Sequence, residues 1–403
     1  MEFQVLKNSF HTVLNRFNNK NTLYAIICVY GVSKAFYHIF VDPLRKIPGP
    51  WWARFTSLPL SIQRLKGDIA KYVGEIHLRY GPVRRQVGPA FSHTGLASIG
   101  DDVLNFGAVS LKEKLKKMIE SGETKFNYWT MFQRTTADVI SKVCFGRSFE
   151  TLKDDNSAFI ECFRSTLILA SVTSAVPPII YVPVLLDNLK KNTKIMFDFV
   201  HDSIEIRKNS IAMDKSNESI MDVLQMFLNS NNPDGKKLSE KEVFSETFLM
   251  LTAGTDATAM TLTSVLHMLT LYPQVYNKVV EEVRNSFPDR EKIITFSEAK
   301  EKLPYLIAAV YESMRLIPIA GGLVFRQSSN EGIEISGIKI PKNTKMGLFL
   351  EGANRDPKLY ENPLSFMPER YLGPNGDALK KETFSFSHGV RICPGRKYSL
   401  LLS

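Results

Sequence analysis

The stretch FSFSHGVRICPGRKYSL, residues 384–400, places one cysteine among glycines, basic residues and a proline. Pro394 follows Cys393 directly, and proline is favoured at the first position of a helix, where its missing N–H costs nothing. A helix that begins there would put the thiol beside the positive end of the helix dipole, which lowers a thiol pKa and favours the thiolate. Gly389 and Gly395 permit unusual dihedral angles or the close approach of a flat ligand. The stretch therefore predicts a loop in which Cys393 binds a metal.

A buried loop cysteine without a function is the alternative for Cys393. That alternative does not account for the ordered set around it, which consists of Phe386, Gly389, Arg391, Cys393 and Gly395. Arg391 offers a planar fork for a carboxylate. The spacing F-x-x-G-x-R-x-C-x-G resembles the haem-ligand loop of the cytochromes P450. This resemblance implies a mainly α-helical fold with a small β-sheet, haem b as the cofactor, and Cys393 as the axial ligand of the haem iron.

Further motifs follow the order of the same family. YESMR contains Glu312 and Arg315, which lie three residues apart and therefore on one helix face. FMPERYL contains Arg370. The resemblance implies that Glu312, Arg315 and Arg370 form a buried ion network that holds the fold around the haem. It also implies that Arg326, in GGLVFRQ, and Arg391 contact haem propionates.

A polar segment, AGTDATA at residues 253–259, interrupts an otherwise apolar helical pattern. A mid-helix glycine costs ~1 kcal/mol relative to alanine, and an unpaired buried carboxylate is expensive. One interpretation is a polar stripe on a surface helix. The resemblance instead implies an oxygen-binding groove in which Asp256 and a following hydroxyl deliver protons. Ala257 stands where the family usually has threonine, so Thr255, Thr258, a water or a substrate hydroxyl would substitute.

Part of the family pattern is missing from the chain. LRYGPV (78–83) is similar to the family's approach to its first sheet, whereas RRQVGPAFSH (84–93) is similar to the end of a much later helix. Arg84 matches a propionate-binding arginine. We therefore expect an incomplete fold that lacks a segment near 83/84 and is truncated at its C-terminus, Ser403.

The N-terminal region contains LYAIICVYGVSKAFYHIFV, residues 23–41, which has about the ~20 residues needed to cross a bilayer. A buried core helix and a signal peptide are the alternatives, but no small-residue cleavage site follows. We expect an N-terminal segment over 1–22, a membrane anchor helix over 23–41, a basic and proline-rich hinge over 42–50, and a haem-thiolate catalytic domain over 51–403.

The overall composition is that of a basic globular protein. The 403 residues carry a formal net charge of +10, which favours acidic partners such as an anionic membrane or an acidic protein. Nucleic acid ranks last, because no dense basic block or zinc-finger spacing occurs. Four scattered cysteines do not indicate a disulfide scaffold, and Cys144 and Cys162 are expected to be small buried hydrophobes.

Apolar periodicity predicts helices over 219–230, 243–272, 273–287 and 305–317, and alternation predicts short strands over 331–350. No repeat or long linker divides the chain.

The resemblance, which is greatest to fungal microsomal members, implies a monooxygenase. It would insert one oxygen atom of O2 into a hydrophobic small molecule with electrons from NADPH through a flavoprotein reductase. It also implies the endoplasmic reticulum membrane, with the catalytic domain facing the cytosol. Two alternatives stay open: an inactive or incomplete product, and a haem-thiolate isomerase or dehydratase that needs no reductase.

Overall fold

The structure is a computed structural model that describes residues 100–154, 158–175, 179–180, 186–213, 222–231, 236–389 and 392–396. The predicted membrane helix over 23–41, the hinge over 42–50, the gap at 83/84, Arg84 and Arg391 lie outside the described residues. The domain boundary at residue 51 also lies outside them and stays a prediction.

Helices make up most of the described chain. In chain order they are α1 (Gly100–Val103), a π-helical segment (Leu104–Val109), α2 (Ser110–Glu120), α3 (Tyr128–Phe145), α4 (Phe159–Ala175), α5 (Asp187–Met213), α6 (Val223–Asn229), α7 (Glu240–Leu271), α8 (Pro273–Ser286), α9 (Phe296–Lys302), α10 (Pro304–Leu316), α11 (Leu350–Asn354) and α12 (Gly376–Glu382). Short 3-10 helices cover Pro368–Tyr371 and Phe384–Phe386. The prediction of a mainly helical fold is confirmed.

The long helix α7 begins three residues earlier than its apolar pattern predicted. Ser239 and Glu242 form a capping box, in which the Ser239 hydroxyl accepts from the Glu242 backbone N–H at 3.4 Å and Glu242 Oε2 accepts from the Ser239 N–H at 2.8 Å. This reciprocal pair satisfies backbone donors that the first helical turn leaves without partners. The helix ends at Leu271, shortly before Pro273 begins α8. Polar capping residues, which an apolar pattern ignores, therefore set its start.

Four short strands lie between α10 and α11. They are β1 (Leu323–Gln327), β2 (Ile333–Ile335), β3 (Ile338–Ile340) and β4 (Lys345–Phe349). β1 pairs with β4, and β2 pairs with β3 in an antiparallel hairpin that places Ile333 opposite Ile340. The positive φ angles of Ser336 and Gly337 make the hairpin turn. The strands expected within 331–350 are therefore present.

The described residues belong to two compact units. One contains residues 326–346, and the other contains the remaining described residues up to 325 and from 347 onward.

Two apolar clusters form the core of the larger unit. The first contains residues of α3, α4, α5, α6 and the first half of α7. It includes the buried Cys144 and Cys162, as expected of small hydrophobes. The second joins the second half of α7 to α8 and α10, and it reaches Phe366 and Tyr371. Because α7 runs through both clusters, it is the central element on which the other helices of this unit are arranged.

Candidate functional site

Cys393 lies at the end of a loop that is closed by its own backbone. The Cys393 N–H donates to the Phe386 carbonyl at 2.8 Å, and the Ile392 N–H donates to the Gly389 carbonyl at 3.1 Å. Gly389 has φ +67, in the left-handed region that favours glycine. Cys393 is exposed, whereas the described cysteines Cys144 and Cys162 are buried. The alternative of a buried loop cysteine is therefore wrong.

The surroundings of the thiol are compatible with a flat ligand. A Cβ added to Gly389 would meet nothing within 4 Å, and a Cβ added to Gly395 would lie 3.8 Å from Cys393 Sγ. The side of the loop at Gly389 is thus open, and a Cβ at position 395 would be in van der Waals contact with the sulfur. A single soft thiolate donor in a pinned loop is the ligand set that haem iron uses in thiolate-ligated proteins. The residues present around Cys393 therefore fit a haem.

The structure brings the predicted ion-network residues together at the end of α10. Arg315 Nε donates to Glu312 Oε2 at 2.8 Å, and Arg315 Nη2 donates to Glu312 Oε1 at 2.8 Å. Arg370 Nε donates to the same Glu312 Oε1 at 3.1 Å. The side chains of Glu312 and Arg315 are 0% exposed. A buried pair of this kind holds only if its hydrogen bonds are complete, because desolvation of both charges is costly.

Every guanidinium donor of Arg315 has an acceptor. Besides its two bonds to Glu312, Nη1 donates to the carbonyls of Asn354 at 2.9 Å and Pro363 at 2.7 Å, and Nη2 donates to the Ser365 carbonyl at 3.1 Å. An arginine has five N–H donors, and these five acceptors use all of them. The Arg315 side chain therefore ties α10 to α11 and to the segment that precedes the Pro368–Tyr371 turn.

The polar segment of α7 is buried, so its interpretation as a surface stripe is wrong. Thr255 donates from Oγ1 to the Leu251 carbonyl at 2.8 Å, and its own carbonyl accepts from Thr136 Oγ1 at 2.9 Å. Asp256 is 8% exposed, and Gln133 Nε2 on α3 donates to its Oδ1 at 3.5 Å. Burial raises the pKa of Asp256 above its ordinary value, although the Gln133 bond opposes the shift. The carboxyl thus retains a proton to a higher pH than an exposed aspartate does.

Thr258 differs from Thr255 in its hydrogen bonding. It is also buried, but its hydroxyl has no hydrogen-bond partner within the described part of the chain. Thr255 is committed to α7 and cannot donate elsewhere without losing its bond to Leu251. Of the two hydroxyls suggested by the sequence, Thr258 is therefore the one available to exchange a proton.

Gly254 has a packing role that the sequence did not reveal. A Cβ at this position would lie 2.6 Å from both Cγ1 and Cδ1 of Ile140, which is buried on α3. The glycine lets α3 and α7 approach closely, and the bonds from Thr136 and Gln133 form across that contact. The only signal in the sequence was a glycine in mid-helix, which does not say which helix approaches it.

Of the three predicted propionate-binding arginines, only Arg326 lies within the described residues, so their common role stays a prediction. Arg326 is half-buried on β1, in the smaller compact unit, and Arg84 and Arg391 lie outside the described ranges. Two residues that contact the site, Gln133 and Asn354, were missed by sequence reasoning. Neither belongs to a motif, and a lone amide gives no sign of which loop or carboxylate it will meet.

Other candidate sites are scarce in the described ranges. They contain no cluster of three or more His, Cys, Asp or Glu side chains that could hold a metal ion. None of the helices in these ranges combines the length and the apolar character needed to cross a bilayer. A surface cleft of about 590 Å³, lined by residues 125–129 and Thr263, includes none of the predicted site residues.

Comparison with known proteins gives a consistent family match. The family model described as cytochrome P450 matches residues 74–400. The chain is 28% identical to cytochrome P450 monooxygenase helB1 of Aspergillus fumigatus, over 96% of this chain and 76% of that protein. It is 31% identical to cytochrome P450 monooxygenase helB2 of the same organism, over 78% of this chain and 63% of that protein. It is 28% identical to cytochrome P450 3A28 of Bos taurus, over 79% of this chain and 64% of that protein.

A solved structure shows the same fold. The crystal structure of the cytochrome P450DA heme domain superposes with a TM-score of 0.68 at 20% sequence identity, over 88% of this chain and 73% of that chain. This likeness confirms the predicted fold. Since the family model spans most of the sequence and includes the Cys393 loop, the chain belongs to the cytochrome P450 family, whose cofactor is haem iron.

Proposed function

We propose that this chain is a haem-thiolate monooxygenase in which Cys393 is the axial ligand of haem b iron. The observation that carries the proposal is the loop itself, where an exposed thiol is fixed by the bond from its own N–H to Phe386 and flanked by glycines. Relatives named as monooxygenases support the reaction type. Bound haem iron would supply the activation of dioxygen, with one oxygen atom passing to a hydrophobic substrate and the other leaving as water.

The chain's own polar residues would move protons toward the oxygen. Burial raises the pKa of the Asp256 carboxyl above its ordinary value, which favours its protonated form, and Gln133 fixes the position of one of its oxygens. Thr258, whose hydroxyl is uncommitted in the described structure, takes the role of the hydroxyl that the family usually has at position 257. Thr255 is the weaker candidate, because Leu251 occupies its donor.

The proposal also assigns the haem-binding and structural residues. Phe386, Gly389 and Gly395 shape the loop, and Arg84, Arg326 and Arg391 pair with the propionates. Glu312, Arg315 and Arg370 hold the segments around the loop. Their support is the family spacing, together with the complete bonding of Arg315.

Electrons would come from NADPH through a flavoprotein reductase, and the protein would be anchored in the endoplasmic reticulum membrane by residues 23–41. The net charge of +10 supports docking to an acidic flavoprotein, and the apolar run over 23–41 supports the anchor.

Ala257 favours a second candidate, a haem-thiolate isomerase or dehydratase. Such an enzyme needs no proton delivery to bound oxygen, and the substitution of the usual threonine removes one delivery group. Turnover without NADPH and reductase would distinguish this candidate from the monooxygenase.

A carbon-monoxide difference spectrum of the reduced, full-length chain tests the proposal. The chain expressed with a supply of haem is expected to give the red-shifted Soret band that is typical of thiolate-ligated haem. Cys393→Ala should lose that band because it removes the ligand. The matched control, Cys162→Ala, removes a buried thiol of the first apolar cluster and should keep the band.

Two outcomes contradict the proposal. Absence of haem from the unaltered chain would indicate an inactive or incomplete product. A thiolate band that persists in Cys393→Ala would mean that another thiol binds the iron.

A further inference from the structure

We propose that Asn354 is a positioning residue for the Cys393 thiol. Its buried carboxamide holds the turn over Phe384–Phe386, at which the loop that carries Cys393 begins. The inference rests on the proposed function, because it concerns the geometry of the proposed iron ligand. Asn354 is the last residue of α11 and is 0% exposed.

Both polar atoms of the Asn354 side chain are bonded to the start of the loop. Oδ1 accepts from the Phe384 backbone N–H at 2.8 Å, and Nδ2 donates to Ser385 Oγ at 3.4 Å. The orientation of the amide is unambiguous, because only the oxygen can accept from a backbone N–H. Ser385 is in turn bonded to α10, because its hydroxyl donates to the Met314 carbonyl at 2.8 Å.

The turn over Phe384–Phe386 lacks a side-chain cap of its own. Thr383, which precedes it, makes no capping hydrogen bond to the turn. A turn donor that is left without any partner when it is partly buried carries a free-energy cost. Asn354 supplies that acceptor from a different part of the chain, 30 residues earlier in the sequence.

The same turn carries the bond that fixes the cysteine. Ser387 N–H closes the turn on the Phe384 carbonyl at 2.8 Å, and the Phe386 carbonyl accepts from Cys393 N–H at 2.8 Å. The Asn354 amide is therefore connected to Cys393 in two steps. The first is the turn over Phe384–Phe386, and the second is the hydrogen bond from Cys393 N–H to the Phe386 carbonyl. If the amide is removed, the Phe386 carbonyl loses its fixed direction, and the thiol loses its fixed position with it.

Asn354 is itself immobilised by the buried network. Its carbonyl accepts from Arg315 Nη1 at 2.9 Å, and the next residue, Arg355, donates from Nη2 to the Leu316 carbonyl at 2.7 Å. Asn354 and the Ser385 hydroxyl are thus both bonded to the C-terminal half of α10. Asn354 therefore links the Glu312–Arg315 pair to the cysteine loop through hydrogen bonds.

The test compares Asn354→Leu with Gln225→Leu in the full chain. Gln225 is a matched control because it is also a buried amide with two side-chain hydrogen bonds, to Arg207 at 3.3 Å and to Asn229 at 3.3 Å. It lies on α6, which packs on α3 and α7 rather than on the loop. Ser385→Ala is the second variant, since it removes one of the two Asn354 bonds and leaves the Phe384 bond.

Hydrogen exchange in the haem-free chain is the first readout. In Asn354→Leu, the peptide that contains Phe386 and Cys393 should exchange about 5- to 30-fold faster, as expected for the loss of one or two hydrogen bonds. Ser385→Ala should show a smaller increase in the same peptide. Gln225→Leu should leave this peptide unchanged and accelerate exchange in α6 instead.

The second readout is spectroscopic and uses the haem-loaded chain. The measured quantity is the fraction of the reduced carbon-monoxide complex that shows the thiolate band. This fraction should fall in Asn354→Leu but stay constant in Gln225→Leu, even where the two variants lose the same thermal stability. Equal effects of both variants would make Asn354 a merely structural residue and overturn the proposal. If Asn354→Leu does not fold, a Ser385→Ala chain with an unchanged loop peptide overturns it as well. A chain that binds no haem contradicts the proposed function, while the exchange experiment still decides the role of Asn354.

Discussion

At the scale of single residues, Glu246 on α7 is an unsupported buried carboxyl. Its Oε2 has no hydrogen-bond partner within the described structure, and the side chain is buried. Desolvation, with a smaller contribution from the charge of Glu242, raises the pKa of Glu246 to about 7. Burial without a partner disfavours the ionised form. Unlike Asp256, whose oxygen accepts from Gln133, Glu246 has nothing that offsets its desolvation.

Glu246→Gln should therefore stabilise the chain more at pH 8 than at pH 5. The native state binds more protons than the unfolded state between the unfolded pKa near 4.5 and the folded pKa near 7, so stability falls as pH rises through this window. Removing the titration should give a gain that is larger at pH 8 than at pH 5 by about 2 kcal/mol. Urea unfolding midpoints at the two pH values measure this difference.

The control for this prediction is Glu281→Gln, which alters an exposed carboxyl on α8. It should shift neither midpoint. A Glu246→Gln chain with the same gain at both pH values would mean that the carboxyl does not titrate in this window.

At the scale of elements, the contact between α3 and α7 decides how the polar segment of α7 at residues 253–259 is buried. Gly254 meets Ile140, Thr136 binds the Thr255 carbonyl, and Gln133 reaches Asp256. These three contacts follow one another along both helices. The close approach at the glycine sets the spacing at which the two polar contacts form.

Gly254→Ala should destabilise the chain, although alanine is the better helix former by ~1 kcal/mol. The new methyl group would overlap the Ile140 side chain, and overpacking of this kind costs roughly 1–3 kcal/mol. A double-mutant cycle with Ile140→Ala, which removes the overlapping atoms, measures the coupling by chemical denaturation. The loss of unfolding free energy caused by Gly254→Ala should disappear in the Ile140→Ala background. Purely additive effects would show that steric overlap with Ile140 is not the reason for the glycine.

At the scale of the whole molecule, one buried network connects segments that are far apart in sequence. Glu312 accepts from Arg315, from Arg370 and from the Met367 backbone N–H. Through the carbonyls that Arg315 contacts, the network joins α10 to α11 and to the chain before the Pro368–Tyr371 turn. Asn354 extends it to the cysteine loop.

Arg315→Ala should be among the most damaging substitutions in the chain. It leaves Glu312 in a buried site with fewer counter-charges and removes the donors of three backbone carbonyls. Breaking a buried pair by removing one partner costs about 3–5 kcal/mol. A large decrease in the urea midpoint and in soluble yield is the expected result. Lys194→Ala, which breaks the exposed pair with Asp198, is the control and should leave the midpoint unchanged within error. Similar midpoints for both variants would contradict a central role for the network.

The sequence by itself determined the family and the helical class, and it singled out Cys393 as the candidate iron ligand. These follow from local spacing: the glycine and arginine positions around Cys393, the i, i+3 relation of Glu312 and Arg315, and apolar periodicity that located α7 and α8 to within a few residues. Such features are contained in short windows of the chain, so they can be read without knowing what packs against them. The start of α7 was missed by three residues because the Ser239 capping box is polar and carries no apolar period.

Only the tertiary structure decided which residues support the site. The polar segment of α7 could have faced solvent, and its burial depends on α3, whose Ile140 lies more than 100 residues before Gly254 in the chain. The amide of Asn354 belongs to no motif, and its partners at Phe384 and Ser385 become neighbours only when α11 packs beside the cysteine loop. Burial and hydrogen bonding depend on contacts between distant segments, so the spacing of residues in the sequence can suggest Cys393 as the proposed iron ligand but cannot identify the side chains that hold its loop in place.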